Sequence, residues 1–216
     1  MARVLDVYLH ESLCGQLTQG DDGRLGFTYH SPYLTTGATA ISVAMPLQEQ
    51  TFNDQIARAF FSGLLPDERA RDRLAAALGV SRENAFGLLE IIGGECAGAL
   101  TLLPVGVPRM QTGSDGIEPL SDDSLGQVLT RLRQRPLLGG EQGVRLSLAG
   151  AQDKLAVCLI DNQVALPKDG RATTHILKPF IEGLEGTVEN ELFCMMLASR
   201  VGLDAPAVTH GQAGDF

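Results

Sequence analysis

The sequence predicts an α+β fold, on three observations. Apolar residues alternate with polar ones over 2–30, recur at helical spacing between 52 and 92, and alternate again from Val144 before one last helical stretch. The 216 residues are 44% hydrophobic and 20% charged, which is enough to bury a sizeable core in one large domain or two modest ones.

Val4, Leu5, Val7 and Leu9 open a β-meander, Gly20-Asp-Asp-Gly23 turns the chain, and Leu25, Phe27 and Tyr29 alternate on the next strand. ISVAMPL at 41–47 reads as a further strand ending at Pro46, where the ladder loses an N–H. Phe52, Ile56, Phe60 and Leu64 recur every four positions and predict a helix. Pro66 starts a second, DERARDRLAAALGV, which stops near Gly79, and a third, NAFGLLEII, runs into Gly93-Gly94. GALTLLP at 98–104 closes a first domain over 1–105, structural and protein-binding in character.

Residues 106–143 are rich in Gly, Pro, Ser and Asp and read as a connector carrying one amphipathic helix, SLGQVLTRLRQ. Its acidic run is a solvated face. Over 144–216, VRLSL and KLAVCLI flank a small-residue turn, Asp161-Asn162 turns into QVALP, and HILKP makes one more strand. Thr187 is placed to cap a long helix over VENELFCMMLASRVGL, with Gly202 near its stop and a short strand near 207–209 after it.

Net charge is −9 and the pI about 4.9, so direct binding to a phosphate backbone is disfavoured, although an acidic chain can ride on a basic DNA-binding partner. Cys14, Cys96, Cys158 and Cys194 form no C-x-x-C pair, and the histidines do not join them at ligand spacing; buried, reduced thiols are expected, and no metal site. With no signal-peptide pattern and no membrane-length apolar run, a cytoplasmic chain without membrane contact is expected. Cys158 with His175 as nucleophile and base lacks an orienting third group, so satisfied core positions are the better reading.

All three lysines, Lys154, Lys168 and Lys178, lie between the small-residue turn and the last helix; before Val144 every positive side chain other than histidine is arginine. Ammonium groups act on phosphate as mobile point charges. The Ala149-Gly150-Ala151 turn has no side chain larger than methyl, so its N–H groups can approach phosphate oxygens. From the turn alone a tight hairpin is the better reading, since one glycine is a far weaker signal than G-x-G-x-x-G. Lys178, followed about a dozen residues later by Glu189 and Glu191 on a helix, matches an arrangement in which a strand lysine holds phosphates and pairs with a helix acid. A surface ion pair is the plain alternative.

SLAGAQDK, THILKP and VENELFC, with FFSGLLPDERARDRL and EIIGGECAGALTLLP before them, resemble the HipA family of serine/threonine kinases, toxins of bacterial toxin–antitoxin pairs. The resemblance spans nearly the whole chain. It implies that 1–105 is the family's N-terminal subdomain and that 144–216 is the β-rich start of a kinase-like N-lobe with one long helix. It further implies that Ser147 is the self-phosphorylated serine, that Leu148, Ala149, Gly150, Ala151 and Gln152 form the nucleotide loop with Lys154 beside it, and that Lys178 is the nucleotide lysine. Glu191 is the helix acid carried over, with Glu189 its competitor. ATP and magnesium are implied for the full-length protein, with none expected on this chain. The implied partners are a small helix-turn-helix antitoxin, DNA only through that antitoxin, and, for the family, an aminoacyl-tRNA synthetase as protein substrate.

The hinge, the catalytic aspartate and the magnesium-binding aspartate of such a kinase are expected beyond residue 216, so no catalytic residue is assigned in this chain. The closing Gly214-Asp215-Phe216 matches D-F-G in letters only and reads as a turn. The rival expectation is a naturally short, non-catalytic HipA-like module that binds or neutralises a partner.

Overall fold

The computed structural model describes residues 2–66, 68–95, 99–107, 116–134, 152–168 and 171–216. Its first sheet is antiparallel, with strands β1 (Arg3–Leu9), β2 (Ser12–Gln19), β3 (Leu25–Tyr29) and β4 (Leu100–Pro104) in the order β3-β2-β1-β4. The alternation read from sequence sets which face is buried: Leu5, Val7, Leu17, Leu25, Phe27 and Leu102 lie in one core. Gly15 in β2 sits so close to β3 that a Cβ there would lie 2.4 Å from the Thr28 carbonyl oxygen, so only glycine fits.

Four helical segments follow β3: a single turn, α1 (Ser31–Leu34), then α2 (Asp54–Ser62), α3 (Glu68–Leu78) and α4 (Ala85–Ile92). Asn53 caps α2 by accepting from the Ile56 N–H at 3.3 Å, and Asn84 caps α4 through Gly87 N–H at 2.9 Å. The buried face of α2 centres on Ala57 and Phe61, with Ile56 and Phe60 at its flank, one position along from the stripe the sequence suggested. Gly79 ends α3 with φ +66°, the left-handed stop that glycine takes at least cost.

ISVAMPL is not a strand. Met45 N–H returns to the Ser42 carbonyl at 3.0 Å, and Tyr29 hydroxyl donates to the Met45 carbonyl at 2.7 Å while accepting from Ile41 N–H at 2.9 Å. Apolar content there serves a loop wrapped on one tyrosine, with Met45 buried and Val43 fully exposed.

A second antiparallel sheet has the order β5-β7-β6-β8, from β5 (Ile117–Pro119), β6 (Leu155–Ile160), β7 (Gln163–Pro167) and β8 (His175–Leu177). Asp161 and Asn162, at φ +48° and +62°, make the tight β6–β7 turn anticipated from sequence. Helix α5 (Asp122–Gln134) packs Leu125, Val128, Leu129 and Leu132 on Leu155, Val157 and Leu166, so the stretch read as a connector supplies both an edge strand and a helix to this second core. Gly126 of α5 touches the backbone at Ala213-Gly214, which brings the last turn of the chain onto the helix.

Helix α6 (Thr187–Arg200) begins after Gly186, whose φ is +70°; Thr187 does not cap it but accepts from the Ile181 N–H at 3.1 Å. No residue of α6 is buried. The strand expected at 207–209 is absent, and that segment has no regular structure. Cys14 and Cys158 are buried thiols as expected, whereas Cys194 and His175 are exposed.

Candidate functional site

Lys178 follows β8 directly, and the β6–β8 register pairs Leu155 with Leu177. Lys154 immediately precedes β6 and Lys178 immediately follows β8, so the two lysines flank the same end of this strand pair. Lys168 does not join them: it binds Glu118 at 2.9 Å, on the β5–β7 side. The lysine clustering read from sequence therefore reduces to a pair.

Lys178 Nζ donates to Glu191 Oε1 of α6, so Glu191, and not Glu189, is the acid that meets it. Both side chains are about a third exposed, at 36% each. A pair this open adds little to stability and leaves the ammonium accessible to an incoming anion.

Gln152 and Asp153, the first described residues after the small-residue turn, are held from two sides. Gln152 Nε2 donates to the Pro179 carbonyl at 3.1 Å. Arg73 of α3 donates from Nη2 to Asp153 Oδ1 at 2.7 Å and from Nη1 to the Arg133 carbonyl at 2.7 Å. Arg133, at the end of α5, donates to the Phe180 carbonyl at 3.2 Å, and its guanidinium stacks 4.2 Å from the ring centres of both Phe180 and Phe216. Phe216 is therefore more than part of a turn. Apart from Phe216, these groups line a cavity of about 480 Å³, together with Asp72, Ile181 and Glu182.

Ser147, Leu148, Ala149, Gly150 and Ala151 lie outside the described residues. Among the described residues, no three His, Cys, Asp or Glu side chains are grouped to hold a metal ion. His175 Nδ1 lies 2.8 Å from Thr174 Oγ1, which accepts from the Leu159 N–H at 3.0 Å; Cys158 donates to the Ala172 carbonyl at 3.4 Å. His175 is thus tied to the threonine just before β8 rather than to the thiol. Arg73 and Arg133 were not legible as site residues, because each sits on a helix whose periodicity explains it without reference to a loop far along the chain.

Two family models match: the HipA N-terminal domain over residues 5–103 and the HipA-like C-terminal domain over 146–215. Over 210 residues the chain is 45% identical to the "Putative kinase Y4mE" of Sinorhizobium fredii, covering 95% of this chain and 50% of that protein. It is 27% identical to the serine/threonine-protein kinase toxin HipA of Shewanella oneidensis, covering 94% of this chain and 46% of the relative. A solved HipA chain from Shewanella oneidensis, in complex with HipB and its operator DNA, superposes with TM-score 0.73 at 25% identity, over 98% of this chain and 48% of that one. The chain spans about half the length of the curated relatives it matches. No helix of the described residues is long and apolar enough to cross a membrane.

Proposed function

Since this chain belongs to the HipA family, we propose that it forms the N-terminal part of a HipA-like serine/threonine protein kinase that transfers the γ-phosphoryl of ATP to a protein hydroxyl. The observation that carries the reading is the Lys178–Glu191 pair, a lysine at a strand end met by a helix acid, with Lys154 at the same end of the strand pair and Gln152 bound to the next residue along, Pro179. This donor set suits a polyphosphate: Lys178 and Lys154 bring mobile positive charge, and Glu191 orients Lys178. ATP with magnesium would supply the transferable phosphoryl group and the charge that neutralises it. Leu148 to Gln152 are assigned to the nucleotide loop. A small antitoxin is the proposed partner, with operator DNA reached only through it, in the cytoplasm; a protein such as an aminoacyl-tRNA synthetase is the proposed substrate.

Ser147 is assigned the self-phosphorylated position. A phosphate there adds about −1.5 to −2 charges beside the proposed loop and repels the phosphates of ATP.

The test joins this chain to the second half of the 45%-identical relative and measures ATP affinity by calorimetry. Lys178→Ala is expected to weaken binding about tenfold or more, the worth of a lost hydrogen bond between charged groups. Ser147→Asp should abolish binding while Ser147→Ala retains it. Affinities that do not differ between Lys178→Ala and its parent would remove Lys178 from the site. No ATP binding by any joined form would favour a non-catalytic HipA-like module.

A further inference from the structure

Arg73 belongs to α3, far in sequence from Lys178, yet two routes lead from its guanidinium to the residues that follow that lysine. The first runs through Asp153: Arg73 holds its carboxylate at 2.7 Å, and the adjacent Gln152 donates to the Pro179 carbonyl at 3.1 Å. The second runs through Arg133: Arg73 holds its carbonyl at 2.7 Å, and the Arg133 side chain donates to the Phe180 carbonyl at 3.2 Å while packed against the two adjoining phenyl rings of Phe180 and Phe216. Both routes end on Pro179–Phe180, immediately after Lys178. Asp153 is the more enclosed end of its pair, at 18% side-chain exposure against 38% for Arg73. A planar fork is needed to serve a carboxylate and a carbonyl at once, which lysine cannot do in the same geometry.

We infer that Arg73 is a positioning residue for Lys178: it fixes the exit of β8 through two converging links, and so holds the lysine against Glu191. The inference deepens the nucleotide-site reading and rests on it for the meaning of Lys178. It gives the first α+β unit a part in building that site.

The test needs no ATP, so a chain that binds no nucleotide would count against the kinase reading and leave this one standing or falling by itself. Trace acylation of the 216-residue chain, followed by mass spectrometry, gives the labelling rate of Lys178 relative to Lys168, whose partner Glu118 lies on the other side of the sheet. Glu191→Gln sets the rate for a lysine released from its partner. Arg73→Ala should raise the Lys178 to Lys168 ratio between about 3- and 10-fold, the range expected for losing one net hydrogen bond. The exchanged pair Arg73→Asp with Asp153→Arg should bring the ratio back toward the parent's. Arg3→Ala, which removes the Arg3–Glu90 pair elsewhere in the first unit, should leave it unchanged. Should Arg73→Ala fail to fold, Asp153→Ala interrupts the first route without truncating a helix residue, and a rise in the same direction is expected. A ratio unmoved in whichever of these two variants folds overturns the inference, and so does an equal rise in Arg3→Ala.

Discussion

Asp54 does two jobs with one carboxylate: it accepts from the Leu25 N–H at 2.6 Å, tying α2 to the start of β3, and it takes Arg58 at 2.8 Å one helical turn on. The Arg58 hydrogen bonds, then the Leu25 N–H, hold its carboxyl below the usual carboxylate range. A depressed pKa means the contribution is complete above the unfolded value of about 3.9 and is lost as pH falls through the lower folded one. Asp54→Asn should therefore be less stable than the parent at pH 7, and the gap in urea midpoint should close as pH drops below about 4. A gap that widened on acidification would show the carboxylate to be destabilising. Cys14 behaves differently: burial pushes its thiol up to about 12, and it donates to the Val7 carbonyl at 3.1 Å. In native protein at pH 8, a thiol reagent should modify Cys194 and leave Cys14 and Cys158 unmodified until denaturant is added. Sequence could not separate these cysteines, because exposure follows from tertiary packing, and Cys194 stands on α6, none of whose residues is buried.

At the scale of elements, what was legible is what local chemistry dictates. Period-two alternation set β1 and β3 in the right places, and Asp161-Asn162 announced its own turn through the left-handed backbone both residues adopt. The failures share a different cause, the dominance of tertiary contacts. ISVAMPL has strand composition, but Tyr29 draws its backbone into a loop, and the three-residue β5 exists only because β7 lies beside it. The Lys178–Glu191 pair was readable from strand and helix order, whereas the choice between Glu189 and Glu191 depended on how α6 is rotated. Burial sorts the helices and strands by what a substitution costs. Phe27 is fully buried with Tyr29, Phe52 and Phe61 around it, so Phe27→Ala should destabilise by about 3–5 kcal/mol. Phe193 on α6 is 65% exposed, and Phe193→Asp should change stability by no more than about 0.5 kcal/mol. Equal losses in chemical denaturation would mean that α6 is packed in solution.

For the molecule as a whole, the two sheets each carry a core, and the Arg73 fork ties the first to the loop end and strand exit of the second. Beyond that junction α6 holds Glu191 toward Lys178 but leaves Phe193, Met196, Leu197 and Val201 half or more open to solvent, near one half in the case of Leu197. On the proposed reading, the molecule assembles one wall of a phosphate site. Phosphoryl transfer is mostly positioning and charge neutralisation, and it requires groups on both sides of the phosphates: a residue orienting the acceptor hydroxyl, and carboxylates holding the metal. The 216-residue sequence contains no D-x-K-N loop to supply the former, and its Gly214-Asp215-Phe216 is spent on packing Phe216 against Phe180 and Arg133. The 216-residue chain should accordingly bind ATP weakly or not at all, and it should remain unlabelled when incubated with γ-labelled ATP and magnesium. Joined to the second half of its 45%-identical relative, it should take up label at Ser147. Label on the 216-residue chain alone, purified from any other kinase, would mean that one wall suffices for transfer and that groups on both sides of the phosphates are not required.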